Sequence, residues 1–149
     1  MRIAIIDCGT NTFNILIADL GPSGPETVHK GKIPVKLGEG GLNTNIIAPV
    51  AYARSLEAMK THKDTIDAFG VDKVIATATS GIRSTSNGLE FVAEVKAVTG
   101  IEIEVIDGQR EAELIRDKIR HPFETLGASV GRRLEGEIGE LFGSGSSDE

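Results

Sequence analysis

The first polar segment of the chain, Asp7-Cys-Gly-Thr-Asn-Thr, has the residue types that a phosphate and metal site requires. It combines a carboxylate, a flexible glycine, two hydroxyls and a carboxamide, supplied by Asp7, Gly9, Thr10, Thr12 and Asn11. The glycine lets the backbone approach a ligand closely, and its neighbours present N–H and O–H donors that suit phosphate oxygens. Asp7 could hold a hydrated Mg²⁺. The alternative is an ordinary Asx-rich turn that binds only its own backbone.

Two apolar runs, Ile3–Ile6 and Ile15–Ala18, flank this segment. Short apolar runs bounded by turn residues are typical of buried strands, so the segment is predicted to be the tip of a hairpin. A third strand is predicted over Glu26–Leu37, with Pro34 marking it as an edge or bulged strand. The glycine cluster Gly38–Gly41 follows it and is interpreted as a loop, because it does not run from a strand into a helix.

Two further strands lead into polar loops. Lys73–Ala78 is predicted to be buried and opens onto Thr79-Ser-Gly-Ile-Arg83, whose small residues and arginine suit an anion. Ile101–Ile106 alternates apolar and charged residues, which predicts a half-buried strand followed by a helix from about Asp107 to Pro122. The loops after strands one, four and five should therefore meet at one end of an α/β sheet, where such sheets bind ligands.

Helices separate these strands. Pro49 favours the start of a helix, and Gly70 favours its end after Phe69. Between them, apolar residues recur every three or four positions, as in an amphipathic helix. The predicted packing residues of this helix are Tyr52, Leu56, Met59, Ile66 and Phe69. A second helix is predicted from an Asn87/Glu90 start signature to Thr99, burying Leu89, Val92 and Val95. The order β-β-β-α-β-α-β-α predicts an α/β fold, with a mixed five-stranded sheet and flanking helices.

Composition narrows the class of protein. The 149 residues have a net charge of −6, a pI near 5.1 and 40% hydrophobic residues, as in an ordinary globular domain. No apolar run approaches the ~20 residues of a membrane span, and the N-terminus does not have the pattern of a signal peptide. We therefore expect a cytoplasmic protein without a membrane partner. No basic stripe suits duplex nucleic acid, and the single cysteine, Cys8, is expected to be a small buried residue.

The C-terminal part has a different composition. Apolar residues keep a helical spacing from Phe123 to Leu141, although four glycines weaken that pattern. We divide the chain into a domain over residues 1–120, a helical segment over residues 121–142 and a flexible polar tail over residues 143–149.

Four segments together are specific: residues 6–17 (Ile-Asp-Cys-Gly-Thr-Asn-Thr-Phe-Asn-Ile-Leu-Ile), 36–39 (Lys-Leu-Gly-Glu), 76–83 (Ala-Thr-Ala-Thr-Ser-Gly-Ile-Arg) and 105–115 (Val-Ile-Asp-Gly-Gln-Arg-Glu-Ala-Glu-Leu-Ile). In this order they resemble the N-terminal domain of the exopolyphosphatase/guanosine-pentaphosphate phosphohydrolase (Ppx/GppA) family, over about residues 1–118. The resemblance implies a ribonuclease-H-like half domain of the actin, sugar-kinase and heat-shock ATPase superfamily. It also implies a Mg²⁺-dependent phosphohydrolase acting on polyphosphate or guanosine pentaphosphate.

The resemblance also implies roles for single residues. Asp7 would hold the metal, and Gly9 to Thr12 would form the first phosphate loop. Arg83 would clamp a phosphate, for which the planar fork of donors of a guanidinium is suited. Glu111 would activate or orient the attacking water, and a position in the first turn of a helix favours its charged form. Taken alone, Glu111 would be interpreted as a solvated helix carboxylate.

The sequence departs from the family pattern in one respect. Family members carry an Asp-x-Gly-Gly-Gly-Ser motif in a second half domain, and these 149 residues contain no such motif. We therefore expect an incomplete phosphohydrolase module, with a non-catalytic phosphate-binding or scaffold domain as the alternative. A ribonuclease-H-like nuclease is disfavoured, because only Asp7 is a clear strand-end carboxylate. Whether a partner chain, such as a second copy in a homodimer, completes the site stays open.

Overall fold

The computed structural model describes residues 1–41, 45–78 and 80–106, which form one mixed sheet with helices packed on it. The five strands are β1 (Arg2–Cys8), β2 (Thr12–Gly21), β3 (Gly24–Pro34), β4 (Lys73–Ala78) and β5 (Ile103–Val105). The helices are α1 (Pro49–Phe69), the single turn α2 (Ser80–Arg83) and α3 (Gly88–Thr99). The predicted domain boundaries at 120 and 142 and the helix after residue 106 lie outside the described residues.

The sheet order is β3-β2-β1-β4-β5. The first three strands are antiparallel neighbours joined by hairpins, whereas β1, β4 and β5 run parallel. Parallel neighbours need long crossover connections, and the segments containing α1 and α3 supply them. The predicted mixed five-stranded sheet with flanking helices is therefore confirmed.

The central strands are buried on both faces, as their unbroken apolar runs predict. We call the side on which α1 and α3 pack the helical face. Side chains from the sheet and both helices form one core there. Its strand residues include Ala4, Ile6, Cys8, Phe13, Ile15, Ile17, Ala76, Ala78 and Ile103. Cys8 is thus the small buried residue that was predicted.

Helix α1 has the predicted bounds and ends at Gly70, whose left-handed backbone (φ +66°) is easiest for glycine. Of the predicted stripe, Met59 and Ile66 are buried and the other members are half-buried. The interruption at Lys63 is filled by His62, which is 2% exposed. The Tyr52 hydroxyl donates to Glu94 at 2.8 Å and so joins α1 to α3. Burial and then this bond raise the pKa of Tyr52 to about 12.

The predicted start of α3 after Asn87 and its end at Thr99 are confirmed, but the predicted burial of Leu89 is wrong. Leu89 is 73% exposed, and Phe91 is buried instead because its ring packs near Phe13 and Tyr52, at centroid distances of 6.2 and 5.3 Å. The larger aromatic ring therefore sets the rotation of the helix. Asn87 makes no side-chain cap; its carboxamide instead accepts from Ile47 N at 2.8 Å and donates to Ile47 O at 3.0 Å.

The edge strands are shorter than predicted at their C-terminal ends. β3 ends at Pro34 and lies at the sheet edge, as its proline indicates. Its register shift lies opposite Ile17 and Ala18, away from the proline. β5 covers only Ile103–Val105, because it pairs with no more than the last three residues of β4. Residues 38–41 form turns, in agreement with their interpretation as a loop.

Candidate functional site

The carboxyl ends of β1, β4 and β5 lie side by side at one edge of the sheet. Cys8 is the register partner of Ala78, and Ala78 is the partner of Val105. The chain leaves these three positions toward Gly9, Thr79 and Ile106. Ile106 stays attached to this edge through a bond from its N–H to Ala78 O at 2.9 Å. The three predicted loops therefore start together, as the topology required.

The loop from Gly9 to Asn11 is a tight turn closed by a 3.0 Å bond from Gly9 N to Thr12 O. The segment after β3, residues 35–37, supports it from one side. Leu37 N donates to Thr10 O at 2.8 Å. The carbonyl of Asn11 accepts from Val35 N at 2.8 Å and from Lys36 N at 3.1 Å. Because a trans peptide points its C=O and N–H in opposite directions, the N–H groups of Asn11 and Thr12 face away from this support. That is the orientation an anion on the far side would need.

The supporting segment is itself strained. Lys36 adopts a left-handed backbone (φ +46°), which is uncommon for a residue with a Cβ. Both Val35 N and Lys36 N donate to the carbonyl of Asn11. Arg54 reaches over from α1 and donates to Val35 O at 2.7 Å. The predicted phosphate loop is thus held by a segment that is anchored in turn to α1.

Helix α2 brings the second loop against the first. A Cβ built on Gly81 would lie 3.2 Å from Thr10 Oγ1 and 2.9 Å from Leu37 Cδ2. Glycine allows this approach without displacing the side chains of Leu37 and Thr10. Arg83 lies two residues later, in the last turn of α2, with an exposed side chain. The structure therefore brings the Thr10 loop and the Arg83 turn together, and a shared phosphate between them stays a prediction.

Behind α2 the chain is fixed by backbone contacts. A Cβ on Gly88 would collide with the carbonyl of Ile82, so α3 can begin this close to α2 only with glycine. Thr85 Oγ1 donates to the same carbonyl at 3.0 Å, and Ser86 N donates to Asn45 O at 2.9 Å. These contacts hold the turn that carries Arg83 without using its guanidinium.

A second group of polar side chains lies on the sheet face opposite the helical face, and sequence reasoning missed most of it. The pairing aligns Asn14 with Asp7, Asp7 with Thr77, and Thr77 with Glu104. Register partners project to the same face, so these residues form one line across four strands. We call Asn14, Asp7, Thr77 and Glu104 the polar row. The available signal was the amide of Asn14 inside an otherwise apolar run.

The polar row is largely removed from solvent. Asp7 is 7% exposed, Asn14 is 8% exposed and Thr77 is fully buried. The Oδ1 atom of Asn14 is buried and has no hydrogen-bond partner in the part of the chain that the structure describes. A buried polar atom without a partner costs free energy, so its presence next to Asp7 needs an explanation.

The residues at this edge fit Mg²⁺, a hard cation that prefers oxygen ligands. The row offers a carboxylate, a carboxamide oxygen and a hydroxyl close together. Among residues 1–41, 45–78 and 80–106, no group of three or more His, Cys, Asp or Glu side chains could hold a metal. Mg²⁺ is usually bound by one or two carboxylates and completed by waters and substrate phosphates, so one buried aspartate suffices. Mg²⁺ itself stays a prediction.

His62 contacts the strand that follows the predicted phosphate loop. Its Nε2 donates to the carbonyl of Phe13 at 2.9 Å from the helical face. Burial lowers the pKa of His62, although the bond to Phe13 opposes that effect. The imidazole is therefore neutral at physiological pH and acts as a donor under the loop.

The remaining predictions lie elsewhere in the chain. Glu111 lies outside the described residues, as does the helical segment over residues 121–142. In the part of the chain that the structure describes, no helix has the length and apolar composition of a membrane span.

The comparisons with known proteins agree with this architecture. The model of the Ppx/GppA phosphatase family matches residues 16–129. Exopolyphosphatase 2 of Mycobacterium tuberculosis is 36% identical over an alignment of 122 residues that covers 76% of this chain and 38% of that protein. A crystal structure of an exopolyphosphatase from Cytophaga hutchinsonii superposes with a TM-score of 0.72 at 43% identity, covering 78% of this chain and 38% of that one.

A third relative is more distant in sequence but equally similar in fold. The crystal structure of the Ppx/GppA family member from Aquifex aeolicus has a TM-score of 0.72 at 29% identity, over 75% of this chain and 37% of that one. The chain thus spans well under half the length of these relatives. Its fold is confirmed as a half domain of the actin, sugar-kinase and heat-shock ATPase class. The extent of the family match shows that the chain belongs to the Ppx/GppA phosphatase family.

Proposed function

We propose that this chain supplies the N-terminal half of a phosphohydrolase site that removes terminal phosphate from polyphosphate or from guanosine pentaphosphate. The observation that carries the proposal is the contact of Gly81 with Thr10, because it joins the first phosphate loop to the turn bearing Arg83. The description of the Mycobacterium tuberculosis relative as an exopolyphosphatase favours polyphosphate. Nothing among the described residues is arranged to recognise a guanine base.

Each proposed role follows from the chemistry of the residue. The N–H and O–H groups of Gly9 to Thr12 bind the terminal phosphate, and the exposed guanidinium of Arg83 binds its oxygens in a bidentate manner. Asp7 holds Mg²⁺ with its carboxylate. When bound, this ion neutralises charge on the phosphate oxygens. These groups stabilise charge that develops during transfer, which is the main protein contribution to such reactions.

The hydrolytic step needs a positioned water. Its oxygen forms a bond to the terminal phosphorus while the bridging P–O bond breaks, giving orthophosphate and a shortened chain. Glu111 receives the proton of the water, a role taken from the family resemblance. In-line attack is sensitive to position, and a misplacement of about 1 Å can cost roughly 10²-fold in rate.

We further propose that these 149 residues alone turn over slowly or not at all. They contain no second loop of the Asp-x-Gly-Gly-Gly-Ser kind, so one side of the transferred phosphate is left without donors. Binding without turnover would be the behaviour of the alternative, a phosphate-binding domain. A homodimer could restore activity only by placing donors of a second copy on that side.

A binding assay and a phosphate-release assay test both parts. Polyphosphate with Mg²⁺ should bind the chain, and Arg83→Ala should weaken binding about tenfold. Lys96→Ala, which removes an exposed cation paired with Glu102 in the last turn of α3, should not. Equal losses in both variants would indicate a general charge effect and contradict the proposed site. Robust Mg²⁺-dependent turnover that Glu111→Ala abolishes would contradict the proposed incompleteness.

A further inference from the structure

The buried carboxamide of Asn14 is the polar group that the proposed function leaves unexplained. Among residues 1–41, 45–78 and 80–106, nothing forms a hydrogen bond with its Oδ1 atom, and the residue is 8% exposed. The backbone of Asn14 is paired with β1 on one side and with β3 on the other. The missing partner therefore concerns the side chain alone. Buried side-chain polar atoms in native proteins nearly always have a partner, which suggests one that the described residues do not supply.

The position of Asn14 identifies that partner. Asn14 is the register partner of Asp7, and the side chains of such a pair project to the same face with Cβ atoms about 4.5–5.5 Å apart. A cation on the Asp7 carboxylate would therefore carry its waters within reach of the carboxamide. Mg²⁺ keeps several waters when it binds to proteins, and each water is a hydrogen-bond donor.

We infer that Asn14 is an outer ligand of the cation site: its carboxamide oxygen accepts a hydrogen bond from a water on the Mg²⁺ that Asp7 holds. The inference rests on the proposed role of Asp7. The oxygen gives up no hydrogen bond to the described residues when the carboxamide turns toward the metal, because it has none with them. A half-turn about the Cβ–Cγ bond exchanges the oxygen with the amide nitrogen, so the movement needs no change of backbone.

A structural role for Asn14 would look different. An amide kept for stability would be satisfied, as the carboxamide of Asn87 is by both backbone groups of Ile47. Ser55 supplies the matched comparison, because its Oγ is also buried without a partner but lies on α1, at the helical face. Removing either unpartnered polar atom should leave the metal-free protein at least as stable as the wild type. Only the substitution of Asn14 should change the affinity for the cation.

The test measures Mn²⁺ affinity, with Mn²⁺ standing in for Mg²⁺, by the loss of the free-ion EPR signal in the 149-residue chain. Asn14→Leu removes the acceptor at similar volume and should weaken Mn²⁺ binding 10- to 100-fold, as losses of outer-shell partners do. Asn14→Asp keeps an oxygen there and should bind at least as tightly as the wild type. Ser55→Ala should not change the affinity.

Thermal unfolding without metal is the second readout. Asn14→Leu should melt no lower than the wild type, because it removes an unsatisfied atom. If Asn14→Leu binds Mn²⁺ as tightly as the wild type, this inference alone is wrong. It is also wrong if Asn14→Leu melts at a lower temperature than the wild type and Asn14→Asp loses as much Mn²⁺ affinity as Asn14→Leu does. If Asp7→Asn keeps full affinity, or the wild type binds no Mn²⁺, the metal site of the proposed function fails and this inference fails with it.

Discussion

The two faces of the sheet carry opposite chemistry where β1, β2 and β4 meet the candidate site. On the helical face the residues at this edge are Cys8, Phe13 and Ala78, all buried in the apolar core. On the opposite face the equivalent positions are Asp7, Asn14 and Thr77, which are equally buried but polar. Packing explains the first set completely. In the second set, the Oδ1 atom of Asn14 has no hydrogen-bond partner among the described residues, which is why we propose that the cation binds on the opposite face.

The largest expected effect concerns the helical face. Phe13→Ala removes a fully buried ring that packs near Phe91, and it should lower the free energy of unfolding by about 3–5 kcal/mol. Leu89→Ala is the control, because Leu89 is 73% exposed and should change stability by no more than about 0.5 kcal/mol. Urea unfolding followed by circular dichroism measures both. Similar losses in the two variants would contradict the assigned rotation of α3.

The next prediction concerns His62, a buried polar residue on the helical face whose ring has a hydrogen-bond partner. His62→Leu removes the imidazole donor to the Phe13 carbonyl and should cost about 1–3 kcal/mol at pH 8. His62→Gln retains a donor and should recover part of that loss. If both variants were as stable as the wild type, the bond would contribute nothing to the support of β2.

The same histidine predicts a pH dependence of definite sign. Because burial lowers its pKa in the folded state, the unfolded chain binds a proton at a higher pH than the folded chain does. The stability linked to His62 is present above the unfolded pKa of about 6.5 and is lost as the pH falls through the lowered folded pKa. The loss of unfolding free energy between pH 8 and pH 5.5 should therefore be smaller in His62→Gln than in the wild type. An equal loss in both proteins would contradict the pKa direction.

Sequence patterns predicted the parts of this fold that depend on apolar burial and on chain breakers. The unbroken apolar runs around Asp7 predicted the first hairpin, and Pro49 with Gly70 predicted α1 to the residue. Once the parallel order was inferred, the meeting of three loops at one edge followed from topology. These features depend on the conformational preferences of single residues and on the spacing of apolar residues, and a single sequence contains both.

Other features depend on long-range partners that no local pattern records. The rotation of α3 follows from ring contacts of Phe91 with residues nearly 40 and 80 positions away in sequence. Asn87 has the composition of a helix cap, yet Ile47 offers its carboxamide both a donor and an acceptor. The polar row requires the register of four strands, so Glu104 was interpreted only as the outward residue of an alternating strand. The role of Glu111 still depends on the family resemblance.

The smallest predicted effect tests the contact between the two loops. Gly81→Ala places a Cβ 2.9 Å from the end of the Leu37 side chain and 3.2 Å from Thr10 Oγ1. Leu37 can move by a few tenths of an ångström, so the fold should survive, but the Thr10 loop and the Arg83 turn must separate slightly. A shared phosphate would then lose one good contact, and affinity for polyphosphate should fall about tenfold, equivalent to roughly 1.4 kcal/mol.

Gly21→Ala is the control, because nothing lies within 4 Å of its added Cβ at the far end of β2. Isothermal titration with polyphosphate and Mg²⁺ compares the two variants. Unchanged affinity in Gly81→Ala would mean that the loops bind phosphate separately, and the site would then need to be assigned to one loop alone.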